Sequence, residues 1–179
     1  MQRDEIMQRI IDLETEMFTA VNAEEAVPAN TIPAFKEMRR MTYSVLSDKT
    51  VALWLQDLET AKKDGRNIMT EKYALIGGQI PTLQENPQIA KIVDVEEKWM
   101  NELVFKYPHA VKRERANAEL FRKYALCELQ TWSPVTINAY FEDVKKAMEE
   151  GRNLAEERYD NLYQNIGKGR LRDVEESLK

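Results

Sequence analysis

The chain writes nearly the same ten residues twice. Residues 64–73 read DGRNIMTEKY and residues 150–159 read EGRNLAEERY. Two copies of one segment are expected to fold into two copies of one local structure, so this repeat restricts the architecture more than any other feature. Shifted by 86 residues, 35–73 and 121–159 share Phe35/Phe121, Ser47/Ser133, Thr50/Thr136, Asp57/Asp143, Ala61/Ala147, Gly65/Gly151, Arg66/Arg152, Asn67/Asn153, Glu71/Glu157 and Tyr73/Tyr159. A shift of 82 aligns IIDLE (10–14) with IVDVE (92–96), which puts the four-residue difference in loops. The expected fold is all-α, with two tandem four-helix units (1–78 and 87–166) related by internal duplication and packed about a pseudo-twofold axis. A polar C-terminal tail, 167–179, follows them as a frayed helix.

Apolar spacing supports helices throughout. Ile6, Ile10, Leu13, Met17 and Val21 recur at steps of three or four. A second helix over 32–46 is expected to turn Phe35, Met38 and Val45 inward. Ser47 caps a third at 48–64, striped by Val51, Trp54, Leu55 and Leu58. Gly65 ends it, and Asn67 caps a short fourth at 68–76. In the second half Pro87 suits a first helical turn, and Ile92, Glu96, Trp99 and Leu103 share a face. A helix near 114–130 carries Leu120, Tyr124 and Cys127. Ser133-Pro134 starts the next, striped by Ile137, Tyr140, Phe141 and Val144, and Asn153 starts the last long one after Gly151.

Composition narrows the function. Apolar residues make up 43% of the 179, enough for a core, and the net charge of −5 opposes any global attraction to nucleic acid or anionic membrane. The basic run at 111–123 alternates with apolar and acidic residues, as a solvated helix face does. No apolar run approaches the ~18 residues of a membrane span. The single Cys127 excludes an internal disulfide, and acidic residues crowd the first twenty positions, so a soluble cytoplasmic protein without a signal peptide is expected. Phosphate loops, dinucleotide fingerprints and nucleophile elbows are absent. The only histidine, His109, has no partner at metal-ligand spacing, so neither metal nor cofactor is expected.

The shared polar residues are the candidates for a site. Gly65 and Gly151 suit a positive φ at a helix end, and Asn67 and Asn153 suit caps. Arg66, Glu71 and Tyr73, with Arg152, Glu157 and Tyr159, have no such local necessity. Glu14 and Glu96 match on the first helix of each unit, and Trp132 is the best candidate for a pocket wall. Two roles are open. A guanidinium at a helix junction can satisfy loose carbonyls while a carboxylate holds it. Alternatively, these residues bind a small polar or anionic ligand, as a binding or interaction module, or as an enzyme with the arginine on an anionic group and a glutamate as acid or base. In the first role both guanidinium groups are expected half buried, Arg66 with Glu14 or Glu71 and Arg152 with Glu96 or Glu157. A homo-oligomer is compatible with either.

GRNIMTEKYA in the first half and ELQTWSPVTINAYFEDVKKAMEEGRNL in the second resemble the bacterial domain-of-unknown-function 4125 family, over most of the chain to about Ile166. The resemblance implies a bacterial, all-helical protein. It implies no activity and carries over no catalytic residue.

Overall fold

The structure, a computed structural model, describes residues 2–21, 28–112 and 118–179. The described residues hold nine α-helices, one 3-10 turn (Ala29–Thr31) and no strand. In chain order the helices are α1 (Arg3–Thr19), α2 (Ile32–Tyr43), α3 (Asp48–Lys63), α4 (Ile68–Ile76), α5 (Pro87–Lys106), α6 (Ala118–Gln130), α7 (Pro134–Glu149), α8 (Leu154–Asn165) and α9 (Leu171–Ser177). Residues 114–117, expected to open the sixth helix, lie outside the described residues.

The helix starts follow from the polar residues read as caps. Ser47 Oγ accepts from the Thr50 N–H at 3.2 Å, and Ser133 Oγ accepts from the Thr136 N–H at 3.4 Å. Asn67 and Asn153 Oδ1 accept from the N–H groups of Thr70 and Glu156, each at 3.0 Å. Gly65 and Gly151 take φ of +72° and +69°, so an L side chain there would be strained.

Long-range polar contacts tie these starts to other helices. The Ser47 N–H and the Thr50 hydroxyl donate to Asp143 on α7 at 3.0 and 2.6 Å. The Ser133 N–H donates to Asp57 on α3 at 2.9 Å. Asn67 Nδ2 donates to the Met17 carbonyl on α1 at 2.9 Å, and Asn153 Nδ2 to the Trp99 carbonyl on α5 at 3.1 Å. Each asparagine therefore starts one helix and fastens it to another.

One apolar core runs through the bundle, with Ile10, Val51, Leu58, Ile92, Ile137 and Val144 fully buried. At its centre Trp54 of α3 stacks on Trp132 at 4.6 Å, and Tyr140 meets Trp132 edge-on at 5.4 Å. Two helices keep only part of the faces expected of them. Around α2, Phe35 and Val45 pack against the core, but Met38 is 45% exposed and Arg39, Met41 and Tyr43 are buried. In α6 Cys127 is buried as expected, but Leu120 and Tyr124 are exposed and Leu129 is buried. In α2 a charged side chain occupies the inner face, which apolar spacing alone does not register. The C-terminal tail also differs from expectation. Helix α9 docks through Leu171, which is fully buried, and Glu175 accepts from the backbone N–H groups of His109 and Ala110 at 3.0 and 2.7 Å.

Asn153→Ala removes both the cap of α8 and its tie to α5. It should lower unfolding free energy by about 1–2 kcal/mol, read as a shifted midpoint in chemical denaturation at unchanged slope. An unmoved midpoint would remove the double role of the asparagine.

Candidate functional site

The charged centre of the bundle is built from residues on seven helices. Glu14 of α1 is fully buried and accepts from Arg39 Nη2 at 2.8 Å and from the Tyr43 hydroxyl at 2.6 Å, both partners lying one turn apart on α2. Arg39 Nη2 also donates to Glu128 of α6 in a short hydrogen bond. Glu96 of α5 takes both terminal nitrogens of Arg158 on α8, at 2.7 and 2.9 Å, and the Tyr140 hydroxyl of α7 at 2.5 Å. Arg158 Nε reaches the Thr42 carbonyl at the end of α2, at 3.2 Å. The two clusters have the same chemistry, a buried carboxylate held by an arginine and a tyrosine.

Burial pushes the Tyr43 and Tyr140 hydroxyls well above their ordinary range, so both act as neutral donors. Burial alone would also raise Glu128. Arg39 and Lys72, with Arg158 farther off, outweigh it and hold its carboxyl at about 2. Burial pulls the Lys72 ammonium of α4 down, against the field of Glu128. That ammonium rests 5.2 Å from the Tyr73 ring centre.

Beside these groups lies a recess of about 270 Å³ between α2, α5, α6, α7 and α8. Glu96, Glu128, Tyr140 and Arg158 supply its polar side. Met38, Met41, Met100 and Phe121 are among its apolar walls, and Trp132 closes part of it. The Trp132 Nε1–H is buried and has no hydrogen-bond partner among the described residues.

The candidates from the sequence separate into two groups. Glu14, Glu96 and Trp132 are in the core, and Glu96, Trp132 and Tyr159 line the recess. Arg66, Glu71, Arg152 and Glu157 form surface pairs instead. Arg66 holds Glu71 through two bonds of 2.9 Å, and Arg152 holds Glu157 at 2.9 and 2.8 Å and Glu150 at 2.8 Å. Their side chains are 49% and 42% exposed, at the edge of the expected half burial. The expected pairings with Glu71 and Glu157 are present. Those with Glu14 and Glu96 are not, because Arg39 and Arg158 take these carboxylates. Asn67 and Asn153 are caps, and Tyr73 is 38% exposed beneath Lys72. Arg39, Tyr43, Lys72, Glu128, Tyr140 and Arg158 were missed as site residues. An arginine followed four residues later by a tyrosine, which puts both on one helix face as in Arg39 and Tyr43, was the available signal.

Among the described residues no group of three His, Cys, Asp or Glu side chains is arranged to hold a metal ion, and no helix is long and apolar enough to cross a membrane. The family of proteins of unknown function DUF4125 matches residues 4–176. The chain belongs to this family. Neither a curated protein nor a solved structure matches it. Membership in DUF4125 brings no activity with it.

Two predictions follow the split between core and surface arginines. Arg39→Met or Arg158→Met leaves a buried carboxylate without its cation and should cost about 3–5 kcal/mol. Arg66→Ala and Arg152→Ala should each cost no more than about 1 kcal/mol, since exposed pairs contribute little. Denaturant titration of the four variants separates the classes, and equal losses would refute the division. The second concerns acid. Glu128 lies below its ordinary value of 4.5 when folded, so its contribution is complete above about pH 4.5 and fades as pH falls toward 2. Glu128→Gln should flatten stability against pH across that window, and an unchanged acid limb would refute the assignment.

Proposed function

We propose that this protein binds a small molecule in the recess beside Glu96, Glu128 and Arg158. The observation that carries the reading is the recess itself. About 270 Å³ stands half open to solvent beside the buried charge network, with Glu96, Glu128, Tyr140 and Arg158 along one side. Apolar walls with a few converging polar groups are the usual make-up of a ligand site. The three methionines along it suit an adaptable fit.

An enzyme acting through the duplicated Arg, Asn, Glu and Tyr residues is the second reading. What favours it is an outer groove holding Arg66 and Glu71 with Asp57, Thr60 and Ser133. The surface exposure of the Arg66–Glu71 pair makes that groove the weaker candidate.

The matched halves belong to the same proposal. Internal duplication with pseudo-twofold packing is supported by the reciprocal contacts of Asp57 and Asp143, the paired roles of Asn67 and Asn153, and the buried carboxylates Glu14 and Glu96. On this reading Lys72 and Arg158 descend from one ancestral cation. A bacterial and cytoplasmic setting accords with the family resemblance and with a lone cysteine.

Ala125 lines the recess, and Ala125→Phe should fill it. A thermal-shift and NMR fragment screen should find ligands for the natural chain whose binding the filled variant loses while keeping its fold. Hits that bind both proteins equally would place binding elsewhere and remove the reading.

A further inference from the structure

We propose that the recess takes an α-amino acid with an apolar side chain, its carboxylate on Arg158 and its ammonium on Glu128. The proposal rests on reading the recess as a binding site.

Two groups of opposite charge line the recess, and each keeps one polar atom uncommitted. Arg158 gives Nε to the Thr42 carbonyl, one Nη1 proton to Glu96, and Nη2 to Glu96 and Tyr140, so a single Nη1 N–H is left over. Glu128 accepts from Arg39 at Oε1, and its Oε2 accepts from no described residue. That oxygen is not sealed in. Among the described residues, the buried side-chain atoms without a partner belong to Trp54, Gln84 and Trp132, and the Glu128 side chain is 24% exposed. Arg158 is near enough for its field to lower the Glu128 carboxyl, yet no ion pair joins them. Arg158 is turned to Glu96, and Glu128 to Arg39. Opposite charges that line one recess without touching leave room for a group that carries both complements.

Charge then selects among ligands. Glu14, Glu96 and Glu128 are balanced by Arg39, Lys72 and Arg158. A lone anion would pair with Arg158 and lie beside the ionised Glu128. A lone cation would pair with Glu128 and lie beside Arg158. Each gains from one group and is repelled by the other. An α-amino acid adds no net charge, and its two heads, borne on one carbon, each make a charge-assisted hydrogen bond.

The remaining walls fix the side chain. Met41, Ile92, Met100 and Phe121 offer it apolar contact. The volume of about 270 Å³ equals roughly nine waters at about 30 Å³ each, close to the non-hydrogen atom count of leucine or methionine.

Probes that share one branched chain and differ in the head test this: leucine, isopentylamine, isocaproate and isocaproamide, titrated into the full chain by NMR and read at the methyl groups of Met41 and Met100. Leucine should bind about tenfold tighter than each of the others. In Glu128→Gln, which keeps the shape and loses the charge, leucine should weaken about tenfold and isocaproate should not weaken. A merely structural loss would weaken both. Tightest binding by isopentylamine or isocaproate overturns the proposal, as does isocaproamide matching leucine or the variant weakening both ligands alike. In those cases the recess still binds and only the ligand class is wrong. The proposal also falls if no probe moves either methyl group. If the fragment screen against Ala125→Phe is empty too, the binding-site reading falls with it. The ranking on the natural chain decides the question even if Glu128→Gln does not fold.

Discussion

A carboxylate with no access to solvent fixes much of this bundle. Glu14 projects from α1 into the core and cannot stay there without donors, and Arg39 and Tyr43 supply them from one face of α2. That requirement sets the rotation of α2 and explains why Met38 turns outward. Arg39 extends the constraint to α6 through Glu128, and Glu128 extends it to Lys72 on α4. Glu96 does the same for α7 and α8 through Tyr140 and Arg158. Burying ion pairs is weak evidence of net stability. Their effect is geometric, because few rotations of the helices bring all these partners together.

The same network explains which parts of the molecule were legible beforehand. Helix starts were, since a serine or asparagine cap acts over three residues and is visible in any local window, as at Ser47 and Asn153. The stripe of α3 was, because after Thr50 its buried positions, Val51, Trp54, Leu55, Leu58 and Ala61, are all apolar. The inner faces of α2 and α6 were not. Their inward positions include Arg39 and Glu128, whose burial depends on partners 25 and 89 residues away along the chain. Lys72 stands where the second copy has Arg158, and because the two residues differ, the list of identical pairs passes over a position that supplies the centre with a cation in both copies. Glu14 and Glu96 are held by Arg39 and Arg158 rather than by the expected Arg66 and Arg152, because similarity between segments says which residues match and not which ones touch.

The repeated ten letters do several jobs at one junction. Gly turns the chain, Asn starts the next helix and fastens it to a carbonyl three helices back, and the Arg–Glu pair spans the joint from outside. One residue earlier than the shared tyrosine, Lys72 and Arg158 send the cation inward. The conspicuous arginines of the motif thus mark the position of the buried cations without being them.

Helix α9 adds a constraint in time. The turn after α5 receives its acceptor from Glu175, which follows His109 by 66 residues. As the polypeptide leaves the ribosome, the N–H groups of His109 and Ala110 emerge long before that carboxylate exists. Throughout the synthesis of α6, α7 and α8 the N–H groups of His109 and Ala110 lack the acceptor that Glu175 of α9 supplies in the folded chain.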